Sequence, residues 1–429
     1  MRPAHGDATG AVDRTAGLRR IAEMAAVPRA DEVLDPTRLS SLLGVRAAPR
    51  YLRMKPGRSL VVAWEEPDGE GARSWTGGHG WTGIFADSDK RDNAVRRARR
   101  AGVPLVEHTA AGGGGPHLLS GPVWADPSLV SQLSRVRAEA VPGTRWEVLR
   151  FNPRRRLVLR AEDSSGARVL RTAAGGSGAL AEATRLWARL GAPVLPAEVR
   201  GRVRGPDGAG TVVSPWWGAG DLRAHPEEAA ARSAGRAVAA VHRRSLRGLR
   251  PGSGAPALPR TGVRVLRSGL GPAARAVAAA APALGSRARR LADRLGPRLD
   301  DGGPRVLLHG DLSPDQVLVD AAGEIRLIDL DRAGAGQAAR DVGSWLAACR
   351  GAGLPRLAAA FTDGYREVAE ARASGSDEGR LLRTALAGAA VWEAHALVLG
   401  ALDPLRRLAP DWQSQLERRL REAEEVSGL

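Results

Sequence analysis

Apolar positions along this chain repeat with two different periods, and the change from one to the other divides it. Over 51–65, "YLRMKPGRSLVVAWE", two apolar runs flank a Pro-Gly turn, the pattern of a β-hairpin. The pattern returns over 148–162 as "VLRFNPRRRLVLRAE". Laid in register, the two stretches agree at seven of fifteen positions: Leu52/Leu149, Arg53/Arg150, Pro56/Pro153, Arg58/Arg155, Leu60/Leu157, Val61/Val158 and Glu65/Glu162. The turn falls at the same place in both, which predicts an internal duplication. Each hairpin is followed by a helix-period stretch that ends at Gly before a Pro-containing turn, "AVRRARRAGVPLV" and "ALAEATRLWARLGAPVLP".

The rest of the pattern completes an α+β, two-lobed plan. Residues 1–45 read as helix and loop, with "ADEVLDPTRLSSLLG" closing on Gly44. The Gly-rich "AAGGGGPH" (110–117) reads as a loop between the copies; it does not follow a strand and open a helix, so it is not a phosphate cradle. From 145 to about 217 the expected order is strand, strand, strand, helix, strand, ending at "GTVVSPWWGAGDL". Beyond that, "AARSAGRAVAAVHRRSL", "PAARAVAAAAPALGSRARRLADRL" and the stretch from about 381 to 426 carry apolar residues at helical spacing. Two short strands interrupt them, "RVLLHGD" and "EIRLIDLD". The expected units are 1–140, 141–217 (small and β-rich) and 218–429 (helical).

Composition changes this picture little. With 429 residues, 43% hydrophobic and 26% charged, the chain has ample length for a sizeable core. No apolar stretch approaches the roughly 20 residues that span a bilayer, and no apolar signal segment opens the chain. The single cysteine, Cys349, excludes an internal disulfide and fits a reducing cytoplasm. The formal charge is +17, yet the lysines are only Lys55 and Lys90. Positive charge that is nearly all arginine, beside abundant Ala and Gly, reads as a coding bias. "RRARR" (Arg96 to Arg100) is the one basic cluster, most simply a solvated helix face, so nucleic acid is not the expected partner. Residues 301–429 carry 15 Arg against 20 Asp plus Glu, a balance of −5, leaving +22 for the remainder.

The candidate chemistry lies in "HGDLSPDQVLVD" (309–320) and "IRLIDLDRAGAG" (325–336). Phosphoryl transfer to a hydroxyl needs a carboxylate to orient the nucleophile and cations to neutralise the triphosphate. Asp311, ending an apolar strand, suits the first task. Gln316 offers an amide oxygen, and Asp329 closes the next strand as the main metal carboxylate, in keeping with the oxygen ligands Mg²⁺ prefers. The two strand-like segments read as neighbours, which would put Asp311 and Asp329 at corresponding ends facing one cleft.

These stretches resemble the signature of the aminoglycoside phosphotransferase-like kinases, a superfamily that includes choline kinases. The pattern is His-Gly-Asp, an amide residue five on, Ile-Asp, and a further Asp twelve on; here it is His309-Gly310-Asp311, Gln316, Ile328-Asp329 and Asp341. "VVSPWWGAGDL" is similar to the family hinge, "AVAAVHRRSL" to a helix ending in Leu-His, and "FTDGYRE" to a later Phe-x-x-Gly-Tyr segment. The resemblance covers about 145–425. It implies a bilobal protein-kinase-like fold, a small-molecule hydroxyl acceptor, ATP as co-substrate and Mg²⁺ as cofactor. Residues 1–140 would then be a cap resembling a degenerate second N-lobe.

By the same resemblance, Asp311 is the catalytic base, Gln316 and Asp329 are metal ligands, and His309 and Asp341 support the loop structurally. Asp331 is either a second metal contact or a surface partner of Arg332. Nucleotide binding is expected at Ser214, Trp216 and Trp217 in the hinge and at Arg171 with Glu182. Arg171 stands where the family carries a lysine, so the phosphates could instead be anchored by "NPRRR" (152–156). Gln in place of Asn at 316 resembles maltose-phosphorylating members, which tilts the acceptor toward a sugar. An aminoglycoside would want acidic donors, for which Asp363, Glu367, Asp377, Glu378 and Glu393 are candidates. An amino alcohol would want an aromatic cage, for which Trp345, Trp392 and Trp412 are candidates. A nucleotide-binding pseudokinase remains the alternative.

Overall fold

Two five-stranded antiparallel sheets account for most of the first half of the chain. The computed structural model describes residues 8–67, 77–109, 117–201, 210–249, 264–299, 303–371 and 375–429. The first sheet comprises β1 (Ala48–Lys55), β2 (Ser59–Glu65), β3 (His79–Phe85), β4 (Val106–His108) and β5 (His117–Pro122), in the order β1-β2-β3-β5-β4. The second comprises β6 (Arg145–Asn152), β7 (Arg156–Asp163), β8 (Gly166–Ala173), β9 (Glu198–Arg200) and β10 (Thr211–Pro215), in the order β6-β7-β8-β10-β9. Strand order is therefore the same in both. A helix follows the third strand in each, Ser88–Arg100 and Gly178–Arg189.

The two hairpin turns also coincide. Lys55 pairs with Ser59 and Asn152 with Arg156, each pair closing a three-residue loop. The central residues, Gly57 (φ 65°) and Arg154 (φ 60°), are both left-handed. The second hairpin thus places an arginine where the conformation favours glycine. Apart from His117, which opens β5, the expected loop at 110–117 lies outside the described residues.

The remainder is helical, with short strands inserted at the cleft. β11 (Gly220–Asp221), β13 (Val317–Val319) and β14 (Ile325–Leu327) form one sheet; β12 (Val306–Leu308) and β15 (Gly334–Gly336) form another. This corrects the expectation that the strands leading to Asp311 and Asp329 are neighbours. "VLV", directly after Gln316, makes its own strand and turns back onto β14 through Asp320–Gly323, whose backbone the Asp320 side chain holds. β12 therefore finds its partner in β15 instead.

One apolar cluster runs from the first helices through both lobes, from Ile21 and Leu34 to Trp345 and Leu420. The proposed cage tryptophans belong to the interior: Trp345, Trp392 and Trp412 are 0%, 7% and 1% exposed. A second cluster joins Val123, Leu129 and Leu133 to Leu157, Leu159, Ala161, Leu170 and Val213, so residues of the first half complete the core of the second sheet. The helix Ser88–Arg100 buries Ala94 and Ala98 and leaves Arg96, Arg99 and Arg100 in solvent, an ordinary amphipathic face. Among the described residues no single helix is long and apolar enough to cross a membrane.

Candidate active site

The loop 309–316 is fixed from beneath by a buried carboxylate. Asp341, in the first turn of the helix Ala339–Ala352, accepts the backbone N–H of His309 (2.7 Å) and of Gly310 (2.9 Å). It also meets His242 Nε2 at 3.2 Å, and His242 Nδ1 lies 2.8 Å from the Tyr365 hydroxyl. Burial alone would raise the Asp341 carboxyl, but the His242 hydrogen bond and charge, His309 and the Gly310 N–H outweigh it and hold it below the usual range. Gly310 (φ 83°) passes so near Arg332 that a Cβ would sit 2.3 Å from its carbonyl oxygen, so only glycine fits. His309 is fully buried, donates from Nε2 to the Ile328 carbonyl (2.9 Å) and packs edge-on to Trp187. It ties the sheet of β12 to the strand end that carries Asp329.

Asp311 emerges from this anchored loop into a cleft with its carboxylate partly in solvent. Arg332 Nη1 donates to Asp311 Oδ1 at 2.9 Å. Burial raises the Asp311 carboxyl above its ordinary value; Arg332 and His309 oppose the rise, while Asp329 and Asp331 add to it. The result is a more basic carboxylate beside a fixed cation. Gln316 ends the 3₁₀ turn Pro314–Gln316, is 5% exposed, and accepts the Ile328 N–H at its backbone carbonyl (3.0 Å). Gln316 and Asp311 line the same cleft.

Asp329 is left-handed (φ 61°, ψ 43°), a conformation aspartate tolerates better than most residues. Arg156 Nη1 donates to both its oxygens, at 3.1 and 3.0 Å, and Arg171 Nη2 approaches Oδ1 at 3.3 Å. Arg171 also donates to Asp331 Oδ2 at 2.5 Å, and Arg156 lies 3.6 Å from the same carboxylate. Burial would raise Asp329, yet Arg156 and Arg171 outweigh it and hold the group ionised below the usual range. Arg171 is 8% exposed and is not a surface strand residue. It forms no ion pair with Glu182 among the described residues: the guanidinium spans the cleft to Asp329 and Asp331. Glu182 lines a separate small cavity with Asp331 and Arg264. Asp331 pairs with Arg171 and Arg156, not with Arg332, which takes Asp311.

Sequence reasoning weighed Arg156 only as one member of "NPRRR" and treated Arg332 only as a partner for Asp331. The buried Nε–H groups of Arg156 and Arg171 meet no acceptor among the described residues. A triphosphate would satisfy such donors. Asp329, Asp331 and Gln316 provide only oxygen donors, two carboxylates and an amide. That set fits Mg²⁺, which completes its shell with phosphates and water.

At the expected hinge, the Trp216 backbone N–H is taken by the Ala167 carbonyl (3.1 Å) and Ser214 pairs in register with Val169. Arginines cover both tryptophan rings: Arg160 sits 4.4 Å from the Trp216 centroid and Arg326 4.7 Å from that of Trp217. The acidic candidates are elsewhere. Glu367 and Asp363 pair with Arg232, Glu378 with Arg243 and Glu393 with Arg350. Asp377 borders a different cavity. None of the five lines the cleft that holds Asp311.

No curated protein matches the chain. Among solved structures, it is similar to an aminoglycoside-3'-phosphotransferase of type VIII (22% identity, 61% of this chain and 98% of that one, TM-score 0.42). It is also similar to a choline/ethanolamine kinase family protein from Mesorhizobium loti (18%, 70% and 96%, TM-score 0.44). A third is an amicoumacin kinase in complex with AMP-PNP and Ca²⁺ (16%, 70% and 94%, TM-score 0.45). The family model for the phosphotransferase enzyme family matches residues 144–381, which include Arg156, Arg171, Asp311, Gln316, Asp329 and Asp341 and make up more than half of the chain. The chain belongs to that family.

Proposed function

We propose that the protein transfers the γ-phosphate of ATP to a hydroxyl group of a small molecule, with Asp311 as the catalytic base. The observation that carries this reading is Asp311 itself, a partly exposed carboxylate of raised basicity on a loop whose backbone is pinned by Asp341. A positioned carboxylate can orient the attacking hydroxyl and accept its proton as the P–O bond forms. Asp329 and Gln316, with Asp331, would hold Mg²⁺, which when bound neutralises the triphosphate and aligns its terminal phosphoryl group. Arg156 and Arg171 would turn from their carboxylates to the phosphate oxygens. In this reading Arg171 takes the place of the family lysine with a longer, forked side chain.

The test is acceptor-dependent ADP release with Mg·ATP. Asp311→Asn should lower kcat by about 10²–10⁴-fold while leaving the thermal transition in place. The engagement of Asp329 by two arginines favours one alternative, a nucleotide-binding module without turnover. Tight ATP binding with no ADP formed from any acceptor would establish that alternative and end the proposal.

A further inference from the structure

The cleft that holds Asp311 is basic where the acceptor would enter. It encloses about 380 Å³, and its described lining includes ten arginines against three aspartates and no glutamate. Part of that charge, Arg150, Arg155 and Arg156, belongs to the β6–β7 hairpin and is suited to the nucleotide. The rest has another origin. Arg340 comes from the helix Ala339–Ala352, Arg407 follows the turn Asp403–Arg406, and Arg419 comes from the helix Trp412–Ser427. None of these elements carries a strand of the second sheet.

Their local partners compensate the charge only in part. Arg340 donates to the neutral Arg267 carbonyl (3.0 Å) and Arg419 to the Gly400 carbonyl. Asp403 is shared between Arg406 at 2.8 Å and Arg419 at 3.8 Å. Arg407 has no carboxylate partner among the described residues. Burial lowers both Arg340 and Arg419, outweighing the opposing pull of Asp341 and Asp403, and the neighbouring Arg264 and Arg407, respectively, push the same way as burial. Gathering like charges in a half-buried cleft is unfavourable unless an anion completes it. Coding bias scatters arginine; it does not account for three helical elements aiming theirs into one cavity.

Building on the phosphotransferase reading, we infer that the acceptor is itself an anion, a phosphorylated or carboxylated sugar or polyol. Arg340, Arg407 and Arg419 hold its anionic group and leave a hydroxyl facing Asp311. The hydroxyl oxygen forms the new bond to the γ-phosphorus, the bond to the β-bridging oxygen breaks with its electron pair leaving on ADP, and the proton passes to Asp311 and then to solvent. A polycationic aminoglycoside is disfavoured by the same charges.

Matched acceptors on one skeleton test the inference: glucose, glucosamine, glucuronate and glucose 6-phosphate, with glycerol and glycerol 3-phosphate as a smaller pair. ADP release and calorimetric binding to the full chain are the two readouts. The expected result is that anionic members exceed their neutral partners at least tenfold in kcat/KM or in affinity, with glucuronate against glucose 6-phosphate deciding between carboxylate and phosphate. Arg407→Ala should raise the acceptor KM by about tenfold or more, the worth of one charged hydrogen bond, with a smaller change in the KM for ATP. Equal or better use of glucose or glucosamine would overturn the inference, as would an Arg407→Ala effect confined to ATP. Anionic probes that bind through Arg407 with no turnover would retain the anion site and remove the phosphotransferase reading. Failure of any anionic probe to bind better than its neutral partner would remove the anion site.

Discussion

Asp311 and Arg332 form a pair whose value lies in titration more than in stability. The side chains are 43% and 55% exposed, and such pairs contribute little to folding. Arg332 nevertheless opposes the upward push of burial on the Asp311 carboxyl. The proposed mechanism needs that carboxyl ionised, so the rate should fall as pH drops through its raised pKa. Removing the cation in Arg332→Ala raises the pKa further, and the acid limb of the kcat/KM profile should move to higher pH. An unmoved limb would show that another group sets it. Asp311 and Asp329 could be read from the sequence because each ends an apolar run, and Asp341 because the family resemblance supplies its offset. The arginines could not. Whether Arg332 turns to Asp311 or Asp331, and whether Arg171 turns to Glu182 or across the cleft, depends on distances that only the folded chain fixes.

At the scale of elements, the support beneath the cleft depends on two helices in close contact. The helices Glu228–Leu249 and Pro355–Glu370 approach through facing glycines: a Cβ at Gly235 would lie 2.1 Å from the Phe361 carbonyl oxygen, and one at Gly364 2.0 Å from that of Arg232. The same pair holds His242 and Tyr365 together under Asp341. Gly235→Ala should force the helices apart and cost about 1–3 kcal/mol, the usual penalty for overpacking, read as a lower urea midpoint. An unchanged midpoint would mean the crossing relaxes freely. Helical periodicity made both helices visible in the sequence. Hairpin turns and apolar runs likewise made β1, β2, β6 and β7 visible. The strand β13 escaped notice because three residues carry no period, and its pairing with β14 redirected β12 to β15.

Across the whole molecule, the first sheet's half holds the second sheet's hairpin by its tip. Asp126 is fully buried and accepts the backbone N–H of left-handed Arg154 at 2.5 Å and of Ser128 at 2.8 Å. Arg53 donates to the Arg154 carbonyl at 2.8 Å, and the Arg154 guanidinium lies over Phe85 at 5.5 Å. Burial pushes the Asp126 carboxyl from 3.8 up to about 6, against the pull of those donors and of Arg154 and Arg53. The folded protein thus keeps a proton there that the unfolded chain releases. The contribution is full below about pH 4 and is lost as pH rises through about 6. A displacement of this size is worth about 3 kcal/mol at most. Asp126→Asn should flatten that part of the stability curve, measured as melting temperature from pH 4 to pH 7 beside the unmodified protein. Parallel curves would contradict it.

The same contact limits how the chain can be divided. A fragment starting at residue 141 would contain the entire family match, 144–381, and every residue assigned here to phosphoryl transfer. It would still lack Asp126, which grips the β6–β7 hairpin at its tip, and Val123, Leu129 and Leu133, which seal one face of the second sheet. The segment that matches the family is therefore expected to be less stable alone than in the full chain, which a melting curve of the fragment would show. The residues before 141 pack into the same core as the matched segment, so the stable unit extends beyond the recognisable one.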